Sequence, residues 1–337
     1  MSSLDQGAFG ATPEASLDAE YRALRDRAGV ARLAERMIVR VIGSDRVAFM
    51  HGMCSQDVKG LAIGAVAPAL ILTERAHLIA DFFLYAEPDA LLIEIERALW
   101  PAAREHLERL LVADDVEFET LGDWGLLDCA GPRAARVVTA IAGIDPSELA
   151  QWRQLRVGDL RIANLPRYGA SAYSIIAPIS IIEDLAARAT SAADGAEAIA
   201  ISPAARELPR VENGRVRIGI DTDEKTLALE ARLDYAISFS KGCYVGQETI
   251  ERATARGGVK KRLFGLSIKG DRAPSVGASI GLGGKAVGHL SSIVKSPRFG
   301  VIGLAIMHQS AWTAGTLVTI NAENGEFSAT VSELPFG

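Results

Sequence analysis

The stretch with the most chemical potential is residues 238–252, Ser-Phe-Ser-Lys-Gly-Cys-Tyr-Val-Gly-Gln-Glu-Thr-Ile-Glu-Arg. Residues 235–240 alternate like a strand, a Lys-Gly turn follows, and the pattern predicts a helix beginning near Tyr244. Cys243 would then lie by the free N–H groups of a helix end, with Lys241 two residues away. Both features favour a thiolate over a thiol. The alternative is a small residue packed at a turn, the commoner role of an isolated cysteine.

The other cysteines, Cys54 and Cys129, are far from Cys243 in sequence and form no Cys-x-x-Cys pair. This spacing argues against a zinc ribbon, a sequential iron–sulfur motif and a disulfide framework. His51 and Cys54, in His-Gly-Met-Cys, could be two metal ligands, but no further ligands accompany them. We therefore predict reduced thiols in a cytoplasmic protein and no resident metal.

Composition limits the class of protein. The 337 residues, 49% of them hydrophobic, can form two or three compact units. The net charge of −6 argues against general nucleic-acid binding, which needs a basic surface. No run reaches the ~18 apolar residues that span a membrane, and the first twenty residues contain no apolar run that would suggest a secretory signal. We expect a monomer without membrane or nucleic-acid partners.

The patterns divide the chain into three parts. Residues 1–17, rich in Ser, Gly and Ala, are predicted to form a loose arm. Residues 18 to about 260 alternate short strands with amphipathic helices, which is typical of an α+β fold. Within this stretch, Ser202-Pro203 predicts a helix start with a side-chain cap.

Residues 261–337 have a different pattern. Short β-rich runs, separated by Gly, Pro and Asn turns, lie at 263–268, 286–294, 301–307 and 316–320. Evenly spaced short strands of this kind predict a small antiparallel barrel.

The segment from Lys241 to Glu248, Lys-Gly-Cys-Tyr-x-Gly-Gln-Glu, resembles the signature of YgfZ-type proteins, which are relatives of the glycine-cleavage T-protein. The T-protein itself usually has a Phe-Ile-Gly-Lys-type segment without the cysteine, so the difference selects the YgfZ-type branch. The motif residues are Lys241, Gly242, Cys243, Tyr244, Gly246, Gln247 and Glu248. Weaker resemblances at Val41–Asp45, Arg210–Gly214 and Gly288–Pro297 follow in the family's order.

This resemblance implies an α+β fold with ferredoxin-like domains around a central folate channel, closed by a C-terminal antiparallel β-barrel. It divides the α+β part into an N-terminal domain at residues 18–125 and a ferredoxin-like middle domain at residues 126–260, which ends in the Lys-Gly-Cys-Tyr motif. It implies tetrahydrofolate or a one-carbon derivative as cofactor, with Tyr244 among the folate-binding residues. It also implies support of iron–sulfur cluster assembly or repair through a reactive Cys243, with iron–sulfur client or assembly proteins as partners. We therefore expect the Cys243 thiol to face the pterin cavity.

Two further assignments follow from the resemblance. Glu212 matches the carboxylate that accepts two N–H groups from the pterin, although a solvated glutamate is the alternative. Arg262 and Arg256 belong to a basic cluster and would bind the glutamate carboxylates of folate. A solvated helix end, or contact with an acidic partner or nucleic acid, would explain the same cluster.

Residues 76–83 resemble the family's Gly-Gly-x-x-Asp-Asp segment, whose first aspartate is catalytic in aminomethyltransferases. Ala80 occupies that position here, and only the second carboxylate remains, as Asp81. The family's Gly-Tyr-Thr-Gly-Glu loop is reduced to residues 167–171, which contain no glutamate. Both losses argue against the transferase reaction. The alternatives are an aminomethyltransferase or demethylase with Asp81 as the acid, and an interaction scaffold whose folate cavity has lapsed.

Overall fold

The computed structural model describes residues 14–169, 172–191, 198–255 and 258–337 of the chain. Of the predicted N-terminal arm, residues 1–13 lie outside the described residues, and the first described element is helix α1, Glu14–Asp26.

The first sheet is antiparallel and has the strand order β3-β4-β5-β2-β6. Its strands are β2 Arg36–Ile42, β3 Val66–Leu72, β4 Leu78–Ala86, β5 Leu91–Glu96 and β6 Glu117–Thr120. Helices α2, Arg46–Met53, and α3, Trp100–Leu110, contribute to the apolar core on one face of this sheet. Strands β3 and β4 form an antiparallel hairpin, and α3 has a proline in its first turn.

The second sheet has six strands in the order β11-β1-β7-β10-β9-β8. The strands are β1 Ala28–Arg32, β7 Trp124–Ala130, β8 Gln154–Val157, β9 Leu160–Leu165, β10 Ala172–Pro178 and β11 Ala198–Ala200. Helices α4, Ala134–Ala142, and α5, Ile179–Thr190, join the core of one face. The predicted boundary at residue 125 assigned β1 to the first unit, whereas the structure places it in this sheet, parallel to β11.

The two sheets face each other through a shared apolar core. Tyr85 and Leu92 of the first sheet pack in one cluster with Leu126 and Ile176 of the second. Helix α6, Pro203–Glu212, closes one side of this layer. The Ser202 hydroxyl accepts a hydrogen bond from the N–H of Ala205 at 3.2 Å, which confirms the predicted cap.

The last six strands form a closed barrel in the order β12-β15-β14-β13-β16-β17. They are β12 Lys261–Ile268, β13 Ser279–Leu282, β14 Lys285–Ser296, β15 Gly300–His308, β16 Leu317–Ala322 and β17 Gly325–Ser332. Every neighbouring pair is antiparallel. The predicted fold class, α+β with a C-terminal antiparallel barrel, is confirmed.

The predicted strand at residues 235–240 is wrong. Asp234–Ala236 form one 3-10 turn, and helix α7 runs from Gln247 to Ala255, three residues later than expected. The backbone here bonds to the loop after α2 rather than to a sheet, because the N–H of Ser238 donates to the carbonyl of Ser55 at 2.9 Å. Local alternation therefore does not predict this segment, whose partner is distant in sequence.

Among the helices in the described ranges, none combines the length and apolar composition that crossing a lipid bilayer requires.

Candidate functional site

A cavity of about 460 Å³ lies between the facing sheets, α6 and the loop that follows α6. Its size falls within the usual range for pockets that hold small molecules. Its lining is unusually rich in charge. The charged lining residues are Glu35, Arg36, Asp81, Glu96, Arg167, Arg206, Glu207, Arg210, Arg215 and Arg217.

Aromatic side chains form another part of the wall. The ring of Phe83 has the guanidinium of Arg167 at 4.7 Å and that of Arg36 at 5.6 Å from its centroid. The ring of Trp152 lies 5.7 Å from that of Phe83. Flat cationic and aromatic groups at these distances offer stacking surfaces for a planar heterocycle.

Trp152 has an unusual backbone conformation, with φ at 64°. Its N–H donates to the carbonyl of Asn164 at 2.9 Å, and its carbonyl accepts from the N–H of Val66 at 2.8 Å. A left-handed conformation costs a non-glycine residue roughly 1–2 kcal/mol. The hydrogen bonds to both sheets hold Trp152 at the cavity wall in spite of that cost.

Asp81 is the predicted site residue that the structure does bring to the cavity. Within the described ranges, no other residue forms a hydrogen bond or ion pair with its carboxylate. Burial raises the pKa of Asp81; the charges of Arg36 and Arg167 oppose the rise and that of Glu96 adds to it. An unpaired carboxyl group of this kind can accept or donate a proton inside the cavity.

Ala80 faces away from the cavity. It is fully buried in the core on the α2 and α3 side, together with Phe82 and Leu84. Asp81 and Phe83 line the cavity, because successive side chains of a strand point to opposite faces. A side chain at position 80 therefore cannot supply a carboxylate to this cavity. The prediction that Ala80 counts against the transferase reaction is wrong for this geometric reason.

A buried charge network supports two of the lining arginines. Glu94 is fully buried and forms ion pairs with Arg36 and Arg167, and the hydroxyl of Tyr85 also donates to it. Burial alone would raise the pKa of Glu94, but the charges of Arg167 and Arg36 outweigh it and hold the pKa below its usual range. Arg167 also lies 3.1 Å from the carboxylate of Asp128. These pairs fix both guanidiniums beside Phe83.

Glu212, predicted to bind the pterin, is not among the cavity-lining residues. It is 3% exposed and accepts hydrogen bonds from the hydroxyls of Tyr21 at 2.8 Å and Ser296 at 2.6 Å. Its Oε2 atom is buried without a hydrogen-bond partner among the described residues. In this conformation Glu212 joins α1, α6 and barrel strand β14, and Glu207 is the α6 carboxylate at the cavity.

Lys241 is buried and directed into the protein. Its ammonium donates to the carbonyls of His51, Cys54 and Gln56, the last two at 2.8 and 3.0 Å. It also lies 4.8 Å from the ring centroid of Tyr244, which is buried in an apolar cluster outside the cavity lining. Lys241 therefore anchors the motif to the end of α2.

Cys243 is exposed and does not line the cavity, so the prediction that its thiol faces the pterin is wrong. The two features expected to favour a thiolate are also missing. Helix α7 begins at Gln247 rather than beside Cys243, and the ammonium of Lys241 is engaged by three carbonyl groups. Cys54 and Cys129 are fully buried, and burial raises the pKa of both thiols.

The remaining motif residues lie around the start of α7. Gly246 has φ of +91°, and an added Cβ atom would lie 2.8 Å from the carbonyl oxygen of Thr73. The carboxamide oxygen of Gln247 accepts from the N–H of Tyr244 at 3.3 Å. Exposed Glu248 forms an ion pair with Arg252. These contacts define a tightly built loop that presents Gly242 and Cys243 at the surface.

The arginines predicted for the glutamate end of folate do not lie at the cavity. Arg262 is exposed in β12 and is absent from the cavity lining. Arg256 lies outside the described residues. The cationic residues at the cavity instead come from β2, the loop after β9, α6 and the loop after α6.

Sequence reasoning missed most of the cavity. A partial signal existed in α6, where Arg206, Glu207 and Arg210 are spaced to share one helical face. Most of the others lie in loops, at strand ends or in a 3-10 turn. Among them are Arg36, Glu96, Trp152, Arg167, Arg215, Arg217 and Tyr235.

The fold and cavity define an α+β protein with a cavity of small-molecule size between two sheets and a C-terminal barrel. The family described as GCVT N-terminal domain matches residues 9–241, and that described as glycine cleavage T-protein C-terminal barrel domain matches residues 261–336. The chain belongs to the glycine cleavage T-protein family.

Relatives of known name agree with this assignment. An aminomethyltransferase of Rubrobacter xylanophilus is 28% identical over 298 residues, which cover 86% of this chain and 79% of the relative. A putative chloroplastic transferase of Arabidopsis thaliana is 27% identical over 88% of this chain and 68% of its own length. The crystal structure of aminomethyltransferase T from Bartonella henselae superposes with a TM-score of 0.89. The two chains are 22% identical, and the match covers 98% of this chain and 93% of that one. The superposition demonstrates a shared fold.

Proposed function

We propose that the protein binds tetrahydrofolate, or a one-carbon derivative of it, in the cavity between the two sheets. Membership of the glycine cleavage T-protein family supports the ligand class. The unpaired carboxylate of Asp81 in the cavity wall is the observation that carries the proposal. A reduced pterin presents N–H donors, which such a carboxylate accepts.

The side chains of the cavity fit this ligand. Phe83 and Trp152 supply faces against which a pterin or benzoyl ring would stack. Asp81 would orient the heterocycle and hold a proton at its carboxylate oxygen. When bound, tetrahydrofolate supplies the secondary amine nitrogens that carry a one-carbon unit. The walls from both sheets and α6 would keep bulk water from the reacting atoms.

Titration with tetrahydrofolate tests this proposal. One of the four tryptophans, Trp152, lines the cavity, so saturable binding is expected to change the fluorescence. The change should be largely lost in Trp152→Phe and retained in Trp312→Phe, since Trp312 packs on Phe264 in the barrel. A wild-type protein that does not bind would reject the proposal and favour a scaffold with a lapsed cavity.

For the cellular role, we propose support of iron–sulfur cluster assembly or repair, as the YgfZ-type segment at Lys241–Glu248 implies. Exposed Cys243 would meet a partner or a low-molecular thiol at the surface, outside the folate cavity. Within the described ranges, no group of three His, Cys, Asp or Glu residues is arranged to hold a metal. Any cluster contact at Cys243 would therefore need ligands from the partner.

Cys243→Ser tests this role in cells that lack the wild-type gene. We expect the activity of an iron–sulfur dehydratase to fall, while folate affinity and thermal stability remain unchanged. Ser240→Ala, an exposed substitution in the same loop, is the matched control and should restore full activity. Full dehydratase activity with Cys243→Ser would exclude the proposed role of the thiol.

Aminomethyl transfer to tetrahydrofolate is the second candidate function. Asp81 lies at the cavity and so meets the geometric requirement for an acid or base next to the ligand. The assay is formation of methylene-tetrahydrofolate from a lipoyl-bound aminomethyl donor or an N-methyl amine. Turnover at saturating tetrahydrofolate that Asp81→Asn abolishes would favour this reaction; no turnover by the wild type would exclude it for those donors.

A further inference from the structure

The loop after α6 carries two arginines, Arg215 and Arg217, that both line the cavity. They differ from the other lining arginines in how their charge is balanced. The other four guanidiniums each lie within 3.3 Å of at least one carboxylate oxygen. These pairs are Arg36 with Glu94, Arg167 with Glu94 and Asp128, Arg206 with Glu35, and Arg210 with Glu207 and Asp221.

Arg215 has no carboxylate within ion-pair distance in the described part of the chain. Its guanidinium instead lies over the ring of Tyr235, 4.6 Å from the centroid. Arg217 has only long contacts, 3.7 Å to Glu96 and 3.4 Å to Glu207, and its buried Nε has no hydrogen-bond partner among the described residues. Arg215 also hydrogen-bonds the Tyr235 side chain, but both guanidiniums keep unused hydrogen-bonding capacity at the cavity.

The loop is rigidly held. Arg210 donates to the carbonyl of Arg215 at 2.6 Å, and the N–H of Arg215 donates to the carbonyl of Arg210 at 3.0 Å. The N–H of Arg217 donates to the buried carboxylate of Asp221 at 2.9 Å. Hydroxyls of the barrel strand β14 bind the other oxygen of Asp221. The barrel therefore fixes the backbone that carries both arginines before any ligand binds.

We propose that Arg215 and Arg217 form a carboxylate-binding subsite of the cavity. The subsite rests on the proposed folate function and takes the place predicted for Arg256 and Arg262. A planar guanidinium suits a carboxylate because two parallel N–H···O hydrogen bonds match its geometry. The carboxylate belongs either to the glutamate of folate or to a small amino-acid co-substrate.

The subsite shares the cavity with Asp81. Tyr235 lines the cavity next to Arg215, and burial together with the nearby charge of Asp81 raises the pKa of its hydroxyl, which the charge of Arg215 opposes. Tyr235 therefore lies within electrostatic reach of both Arg215 and Asp81. A ligand carboxylate held at Arg215 would place the rest of that molecule near Asp81.

The test measures dissociation constants for tetrahydrofolate, 6-methyltetrahydropterin, p-aminobenzoylglutamate and glycine. The proteins are the wild type, Arg215→Met, Arg217→Met and the double variant, with exposed Arg262→Met as the matched control. If the glutamate of folate is the ligand, the single variants weaken tetrahydrofolate and p-aminobenzoylglutamate by about 10–100-fold. The pterin without a glutamate should bind all variants equally.

If a co-substrate is the ligand, the variants lose glycine binding and keep their affinity for tetrahydrofolate. Unchanged affinity of the correctly folded double variant for every carboxylate probe, or wild-type protein that binds none of these probes, would overturn the subsite. A wild type that binds p-aminobenzoylglutamate or glycine through Arg215 but does not bind tetrahydrofolate would retain the subsite and reject the folate proposal. The two failures are therefore distinguishable.

Discussion

Ala80 and Asp81 are adjacent in sequence but point to opposite faces of β4, so that Ala80 packs in the α2 and α3 core and Asp81 lines the cavity. The absence of an aspartate at position 80 consequently removes nothing from the cavity. Asp81 is the group that could move a proton there, so Ala80 is no evidence against one-carbon transfer.

Asp81→Asn should stabilise the protein at neutral and higher pH. Because the pKa of Asp81 is raised in the folded state, folding favours the protonated form, and this carboxyl's contribution to stability is lost as the pH rises through its folded pKa. The neutral amide avoids that loss, and we expect a gain of about 0.5–2 kcal/mol at pH 8. The gain should be smaller at a pH below the usual pKa of aspartate. Chemical denaturation at pH 8 and at that lower pH measures the two gains. An equal gain at both pH values would contradict this account.

Lys241→Met should destabilise the protein by about 2–4 kcal/mol, because three buried carbonyl groups lose a charged donor. Exposed Lys260→Met is the control and should be neutral.

Lys241→Met should also change the NMR titration of His51. Burial and the charge of Lys241 lower the pKa of His51, so that NMR titration should find a higher His51 pKa in Lys241→Met. An unchanged value would show that the ammonium does not influence the imidazole.

Thiol labelling should separate Cys243 from the other cysteines. Cys243 is exposed, whereas Cys54 and Cys129 are fully buried with pKa values raised by burial. We expect an aromatic disulfide reagent to modify one thiol per native chain and three after unfolding in guanidinium chloride. The native protein with Cys243→Ser should react with none. Rapid labelling of a second thiol in the native state would contradict the burial of Cys54 or Cys129.

Ser296→Ala should separate stability from ligand binding. The Ser296 hydroxyl donates to Glu212, and its loss leaves a buried carboxylate with Tyr21 as its remaining side-chain donor among the described residues. A hydrogen bond to a charged group contributes about 1.5–3 kcal/mol, and the free energy of unfolding should fall by that amount. If Glu212 acts between α1, α6 and β14, folate affinity should change less than threefold. A large loss of affinity without a loss of stability would instead support the predicted pterin contact of Glu212.

Gly246→Ala should disturb the motif loop more than Gly258→Ala. Both glycines have φ of +91°, but a Cβ atom at Gly246 would meet the carbonyl of Thr73 at 2.8 Å, and one at Gly258 would meet nothing within 4 Å. The control should lose about 1–2 kcal/mol from the backbone conformation alone. The motif variant should lose a further 1–3 kcal/mol or so from the steric contact, measured by urea denaturation. Equal losses would show that the Thr73 contact is relieved without cost.

The sequence predicts what local patterns control. The Ser202 cap and the barrel strands follow from cap residues, apolar runs and turns close in sequence. The cavity depends instead on which elements meet after folding. The alternation at 235–240 gives no information about the bond from Ser238 to Ser55, and the motif around Cys243 gives none about the direction of the Lys241 side chain.

The same limit applies to the charged residues of the cavity. Arg215 and Arg217 lie in a loop where a solvated basic pair would be the ordinary expectation. Asp221 fixes this loop, and the barrel residue Ser291 that binds Asp221 lies seventy residues beyond it in sequence. A family resemblance, and no local pattern, points to Asp81. Its orientation depends on the packing of β4 between two layers.

The pairing of β1 with β11 has a consequence for synthesis on the ribosome. Ala28 of β1 pairs with Ala198, so one edge of an early strand stays without its native neighbour until about 170 more residues have been translated. An unpaired strand edge can pair with other nascent chains. Among the strand pairs of the described residues, β1 and β11 are the farthest apart in sequence, so the six-stranded sheet is the one whose completion waits longest for a distant segment.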